Sequence, residues 1–431
     1  MYLMRLILFI ISVVLTCLFF LQCADRNERN PFDPNNPQQI VNLTITPSSD
    51  AVTLNWGLSA PISGFKGFRI YRAIDDPEDF QPFTEVSPNQ FSFTDSTTEQ
   101  GRWYYYQISA LGNTLETRPS DARRTYLGPG SYWVLSRSDF NIQQISYDFN
   151  HQLLGMQSSY LSNEWDISAG DSVIWLSYPQ YARGIGKFNR RNGREELFSL
   201  SDLNEITDIE YVVPENRLYL LDAENASIYV IRDNQLLNTI AIDTMENFSR
   251  LRYSNADNRL YLLGQSSLIR FSPDAPQQPE VILQNVDGYQ GQAIDLVDGK
   301  FYVLSASARD NRTQIRTISA QGGLEDSLNI VGFFHKIRYD EVHNLFYAAE
   351  ALGSFQDGIV QLSADGNRQF DVPGFTQVAQ IELNPFDRTI IVVDYLNNLI
   401  SLFDREGNLI SDSRNAVGEK YLYRPTRVYV E

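Results

Sequence analysis

Thr207-Asp208-Ile209-Glu210-Tyr211-Val212-Val213-Pro214-Glu215-Asn216-Arg217-Leu218-Tyr219-Leu220-Leu221-Asp222-Ala223-Glu224-Asn225 is the stretch that decides the architecture. Thr207 to Tyr211 alternates polar and apolar residues, as a strand with one buried face requires. Pro214-Glu215-Asn216 is turn chemistry. Leu218 to Leu221 is an unbroken apolar run, suited to a strand covered on both faces. After the turn at Asp222 to Asn225 come a third strand, Ile228 to Ile231, and a fourth, Leu236 to Ile242.

Working outward, the same pattern returns at intervals of 42 to 47 residues. A first apolar anchor falls at Ile167, Ile209, Leu251, Ile294, Ile337, Ile381 and Val428. A second falls in the next strand, at Trp133, Trp175, Tyr219, Tyr261, Tyr302, Tyr347 and Ile391. Short strands repeating with this period predict the four-stranded blades of a β-propeller, here seven of them over residues 130–431. The two series are out of step at the ends. Trp133 follows Leu127-Gly128-Pro129-Gly130 with no first strand before it, and the sequence stops three residues after Val428. The last strand is therefore expected to complete the blade that Trp133 begins.

Residues 393–408, Val393-Asp394-Tyr395-Leu396-Asn397-Asn398-Leu399-Ile400-Ser401-Leu402-Phe403-Asp404-Arg405-Glu406-Gly407-Asn408, resemble an NHL-type repeat: a strand ending in Asp, an Asn-bearing turn, a strand ending in Phe-Asp, then a polar-Gly turn. The broader likeness, to YVTN- and NHL-like propellers of bacterial envelope proteins, covers roughly residues 130–431.

The N-terminal third reads differently. Arg5 precedes an apolar run from Leu6 to Leu21, shorter than the roughly 20 residues of a membrane span, and Cys23 is followed by an abruptly polar segment. Residues 1–22 resemble a bacterial lipoprotein signal, which makes Cys23 the expected lipidated residue; Cys17 is a second candidate. These are the two cysteines of the chain, so thiol chemistry and Cys-based metal sites are excluded from the folded domains. Residues 23–39 form a Pro/Asn-rich linker.

Residues 40–126 carry short alternating strands of another period, among them Val52-Thr53-Leu54-Asn55-Trp56 and Tyr104-Tyr105-Tyr106-Gln107-Ile108-Ser109-Ala110. They resemble a fibronectin type III domain. The resemblance makes Trp56 a core residue and Tyr104 the corner tyrosine, whose hydroxyl bonds nearby backbone.

The expected fold class is thus all-β, a fibronectin type III-like sandwich plus a seven-bladed propeller closed by the C-terminal strand. Catalytic signatures are absent. The three histidines, His151, His335 and His343, show no metal spacing, and there is no nucleophile elbow, phosphate loop or dinucleotide turn. A net charge of −18 and a pI near 4.6 argue against nucleic acid as a partner. Two functional readings follow. In the first, the protein is a lipid-anchored binding or scaffold protein of the bacterial envelope, periplasmic or at the outer membrane, without a cofactor. Its propeller would meet another envelope protein, a peptide or a glycan through Tyr178, Tyr181, Arg183, Tyr289, Phe334, Tyr395, Tyr423 and Arg424 on one face. In the second, it is a metal-dependent hydrolase of lactonase type, with Asp166, Asp208, Asp295 and Glu382 as metal ligands near the first strands.

Overall fold

The computed structural model describes residues 32, 41–59, 62–136, 141–157, 168–169, 173–178, 184–189, 193–200, 203–204, 206–212, 215–242, 246–285, 288–415, 422 and 424–430. The chain divides into two compact units, Met1–Gly130 and Ser131–Glu431. The lipoprotein signal, Cys17 and Cys23 lie outside the described residues.

In the first unit, Val41–Pro47, Val52–Leu58 and Ser92–Asp95 make a three-stranded sheet. Gln81–Val86, Gly67–Ile74, Arg102–Leu111 and Arg123–Leu127, in that order, make a four-stranded one. Strict alternation in Val41–Pro47 sends every second side chain inward. The core gathers Val41, Leu54, Trp56, Phe68, Tyr104 and Tyr106. Trp56 meets Phe68 edge to face at 5.4 Å between ring centroids. The Tyr104 hydroxyl accepts the Glu99 N–H at 2.7 Å. Asp95 is fully buried because Arg72, at 2.7 Å, and the Tyr106 hydroxyl, at 2.8 Å, replace its water.

The second unit holds, among the described residues, seven four-stranded antiparallel sheets. The sheet containing Ile206–Val212, Arg217–Asp222, Ser227–Arg232 and Gln235–Ala241 shows why the sequence folds this way. Its two middle strands bury nearly every residue and its last strand is exposed along most of its length. Both anchor series are buried wherever they are described, and Ile167 lies outside the described residues. The core is a set of slabs between successive sheets: one packs Tyr219 and Ile228 against Leu251 and Leu262, another packs Tyr302 and Leu304 against Ile337 and Phe346. Each slab covers the faces of its two sheets. The C-terminal strand Pro425–Val430 pairs with Ser131–Ser136, with Val428 opposite Val134 and Tyr429 opposite Trp133. The molecule is all-β and propeller-like.

Candidate functional site

The inner strands Phe248–Ser254, Gln290–Val297, Phe334–Asp340, Val378–Leu383 and Pro425–Val430, from five of the seven sheets, line an axial cavity. Anchor residues point sideways into the slabs, so the residues flanking each anchor lie on the opposite face of the strand. After the anchors stand Glu210, Arg252, Asp295, Arg338, Glu382 and Tyr429. Before them stand Asp208, Arg250, Ala293, Lys336, Gln380 and Arg427. A register shift precedes this second set in six strands, between Ile206 and Asp208, Phe248 and Arg250, Gly291 and Ala293, Phe334 and Lys336, Val378 and Gln380, and Pro425 and Arg427. Such bulges re-aim side chains. Three of the skipped residues, His335, Ala379 and Thr426, line the cavity mouth.

Deeper, two arginines are shared among four carboxylates. Arg252 lies 2.9 Å from Asp208 and 3.8 Å from Glu210. Asp208 also accepts the Leu251 N–H at 2.7 Å. Arg338 forks between Asp295, at 2.5 Å, and Glu382, while Asp295 accepts the Tyr339 N–H at 2.8 Å. Burial alone would lower the Arg338 guanidinium; Glu382 and Asp295 outweigh it and hold it above its ordinary range. Burial pushes the Glu210 carboxyl up to about 7, although Arg252 pulls the other way. The Gln380 amide accepts the Val428 N–H at 2.7 Å and donates to the Val428 carbonyl at 3.1 Å.

The mouth is different. A cavity of about 240 Å³ is lined by Arg250, Lys336 and Arg427, with His335, Gln377 and Tyr395 at its rim. Asp394, buried at the end of Ile390–Asp394, accepts the N–H groups of Thr376 at 2.8 Å and Gln377 at 3.1 Å, and Tyr395 N–H donates to the Gln377 carbonyl at 2.9 Å. The strand-ending Asp thereby fixes two loops at the rim. Arg250 donates to the Ser249 carbonyl at 2.8 Å. Among the described residues no carboxylate forms an ion pair with Arg250 or Lys336. Burial lowers Arg250 and Arg427 to about 10. Burial, then the charges of Arg250 and Arg427, lowers the Lys336 amine to about 7. All three side chains still touch the water of the cavity, so their desolvation is partial. His335 Nε2 lies 3.2 Å from the Asp357 carboxylate, which also accepts the Val378 N–H at 2.7 Å.

The residues expected from sequence divide sharply. Tyr395 lines the cavity, and Arg424 stacks over its ring at 5.7 Å. Tyr289 is partly buried and directly precedes the strand Gln290–Val297. Phe334 corrects the expectation of an exposed ring: it is fully buried in the slab with Ile337 and Phe346, beneath the Arg368 guanidinium at 5.5 Å. Tyr181, Arg183, Tyr423 and Asp166, and the side chain of Tyr178, lie outside the described residues. Asp208, Asp295 and Glu382 stand beside their anchors on the inner strands, and each is held by an arginine. Sequence reasoning missed Arg250, Lys336 and Arg427. Their signal was present: each is a cation immediately before an anchor.

No known protein-family profile matches the chain, and no curated protein sequence matches it. Solved structures do. The chain is similar to a Bacteroides uniformis protein provisionally named a 6-phosphogluconolactonase, at 11% identity over 70% of this chain and 99% of that one, with a TM-score of 0.54. It is similar to a functionally unknown protein from Desulfotomaculum acetoxidans, at 12% identity over 70% and 98%, with a TM-score of 0.54. It is also similar to the periplasmic gluconolactonase of Pseudomonas aeruginosa, at 9% identity over 70% and 98%, with a TM-score of 0.53. These likenesses establish the propeller-type fold.

Proposed function

We propose that the protein is a binding propeller of the bacterial envelope whose axial mouth takes a small molecule bearing a carboxylate or phosphate. In this reading the first unit is a fibronectin type III-like spacer, the seven sheets are seven blades, and Cys23 carries the lipid that holds both at a membrane. One observation carries the ligand class. Three cations converge on one cavity in a chain of net charge −18, two of them without a carboxylate in an ion pair among the described residues. Neighbouring cations without counter-charges repel, and an anion removes that repulsion. The deeper carboxylates are each paired with Arg252 or Arg338, and none of them forms an ion pair with Arg250 or Lys336 among the described residues. Tyr395 adds an aromatic wall.

A second reading is favoured by the bases in the same cavity. Lys336, with its lowered pKa, and His335 beside Asp357 are placed to activate water on an anionic lactone without a metal. The names of two fold neighbours, a gluconolactonase and a provisional 6-phosphogluconolactonase, supply the probes. Calorimetry with gluconate and 6-phosphogluconate tests the first reading. Binding should weaken with salt and fall at least about tenfold in Arg250→Gln. Affinity unchanged in Arg250→Gln, or no binding of either acid, sinks it. Release of acid from the matching lactones, insensitive to chelator and lost in Lys336→Met, would establish the second.

A further inference from the structure

The chain meets positive charge almost everywhere with arginine. Its 35 basic residues include five lysines: Lys66, Lys187, Lys300, Lys336 and Lys420. Among the described residues Lys336 is the lysine that lines the axial cavity. Arg250 and Arg427 stand on its two sides, each two sheets away, with Ala293 and Gln380 on the strands between. A third arginine would make the simpler anion clamp, because a guanidinium stays protonated and presents a planar fork. An amine differs in one respect that matters here. Once deprotonated, it is a nucleophile toward carbonyl carbon.

The surroundings favour the deprotonated form. The groups facing Lys336 are Arg250 and Arg427, which disfavour its charge, and Asp357 and Asp208, which favour it less strongly. Both carboxylates are engaged elsewhere, Asp357 beside His335 and at the Val378 N–H, Asp208 with Arg252. A lysine between cations, in a partly desolvated pocket, is the arrangement that activates an amine for imine formation.

We propose that Lys336 forms a reversible imine with the carbonyl carbon of a small 2-oxo acid whose carboxylate is held by Arg250 and Arg427. The nitrogen lone pair adds to the carbonyl carbon and a C–N bond forms. The carbonyl oxygen, after gaining protons that include those lost by the nitrogen, departs as water. C=N replaces C=O, one water is released, and no oxidant or reductant takes part. His335, in the same cavity, is positioned to pass the proton. A cavity of about 240 Å³ suits an acid of few carbons, being below the roughly 300 Å³ at which drug-sized sites begin. This proposal rests on the anion-binding reading above.

The test uses the protein starting at Ala24, with pyruvate as the oxo acid and lactate as the matched acid lacking the carbonyl. Cyanoborohydride is added to reduce any imine, and labelled lysines are located by peptide mass mapping. Expected is a pyruvate adduct on Lys336 about tenfold or more above any other lysine, suppressed by excess lactate and reduced in Arg250→Gln. Lactate alone should leave no adduct, and Lys336→Arg, checked for an unchanged far-ultraviolet spectrum, should leave none at that position. Lactate binding by calorimetry without a Lys336 adduct from pyruvate overturns the imine and leaves the anion site standing. No binding of lactate or pyruvate, and no adduct, overturns the imine, while gluconate and 6-phosphogluconate binding by the same protein decides the anion site separately. Even labelling across the lysines likewise refutes a special role for Lys336.

Discussion

Replacing Arg338 by Met removes the charge that two carboxylates share while keeping most of the side-chain volume. Asp295 is almost completely buried and holds Arg338 at 2.5 Å; Glu382 holds the other guanidinium nitrogen from the neighbouring inner strand. Breaking a buried pair by removing one partner destabilises by about 3–5 kcal/mol, because the remaining charge is uncompensated. Here Arg338 and Glu382 are partly exposed, which discounts their part; Asp295 is not, and has the Tyr339 N–H. The expected loss is therefore about 2–4 kcal/mol near neutral pH. The loss should also depend on pH. Without the guanidinium, two carboxylates lose their counter-charge, and that cost is greatest where both are ionised. Urea denaturation of wild type and Arg338→Met at about pH 5 and about pH 7.5 provides the check. A deficit below about 1 kcal/mol at the higher pH, or one of equal size at both, refutes the charge-pairing account and leaves only a packing change.

Three further outcomes are expected. Deleting residues 424–431 removes the strand paired with Ser131–Ser136 and strips Gln380 of both its bonds to Val428, so calorimetry should show the cooperative transition of the second unit lost; an unchanged transition counts against ring closure. Lys336, lowered from 10.5 to about 7 in the fold, contributes stability present above its unfolded pKa and lost as pH falls through about 7, whereas Glu210, raised from 4.5 to about 7, contributes stability present below 4.5 and lost as pH rises through about 7. Lys336→Met should accordingly gain stability relative to wild type as pH falls from 10.5 to about 7, and Glu210→Gln as pH rises from 4.5 to about 7, read from urea midpoints across pH; profiles parallel to wild type through these windows refute both assignments. Finally, Cys23→Ser should abolish palmitate labelling and release the protein from the membrane fraction, while persistence of label with Cys17 intact would move the anchor to Cys17.

The sequence by itself determined the repeat. Period-two alternation at Thr207–Tyr211, apolar runs such as Leu218–Leu221 and turn residues between them are local properties, and seven near-copies multiply a weak signal until it is unmistakable. It also located the offset between the two anchor series, and the last strand does pair with the strand of Trp133. The resemblance to a fibronectin type III domain led to a Tyr104 hydroxyl bonded to nearby backbone, and the hydroxyl accepts the N–H of Glu99, five residues earlier. Only tertiary structure decided the site. Whether Asp295 is a metal ligand or the partner of Arg338 depends on a side chain 43 residues away, on another sheet. Whether Phe334 is a surface ring or part of a slab depends on a one-residue bulge between it and Lys336, which alternation cannot show. Arg250, Lys336 and Arg427 each look like an ordinary strand residue in isolation. Their meaning comes from convergence on one cavity of about 240 Å³, where repulsion between like charges is the ground for the anion site proposed above.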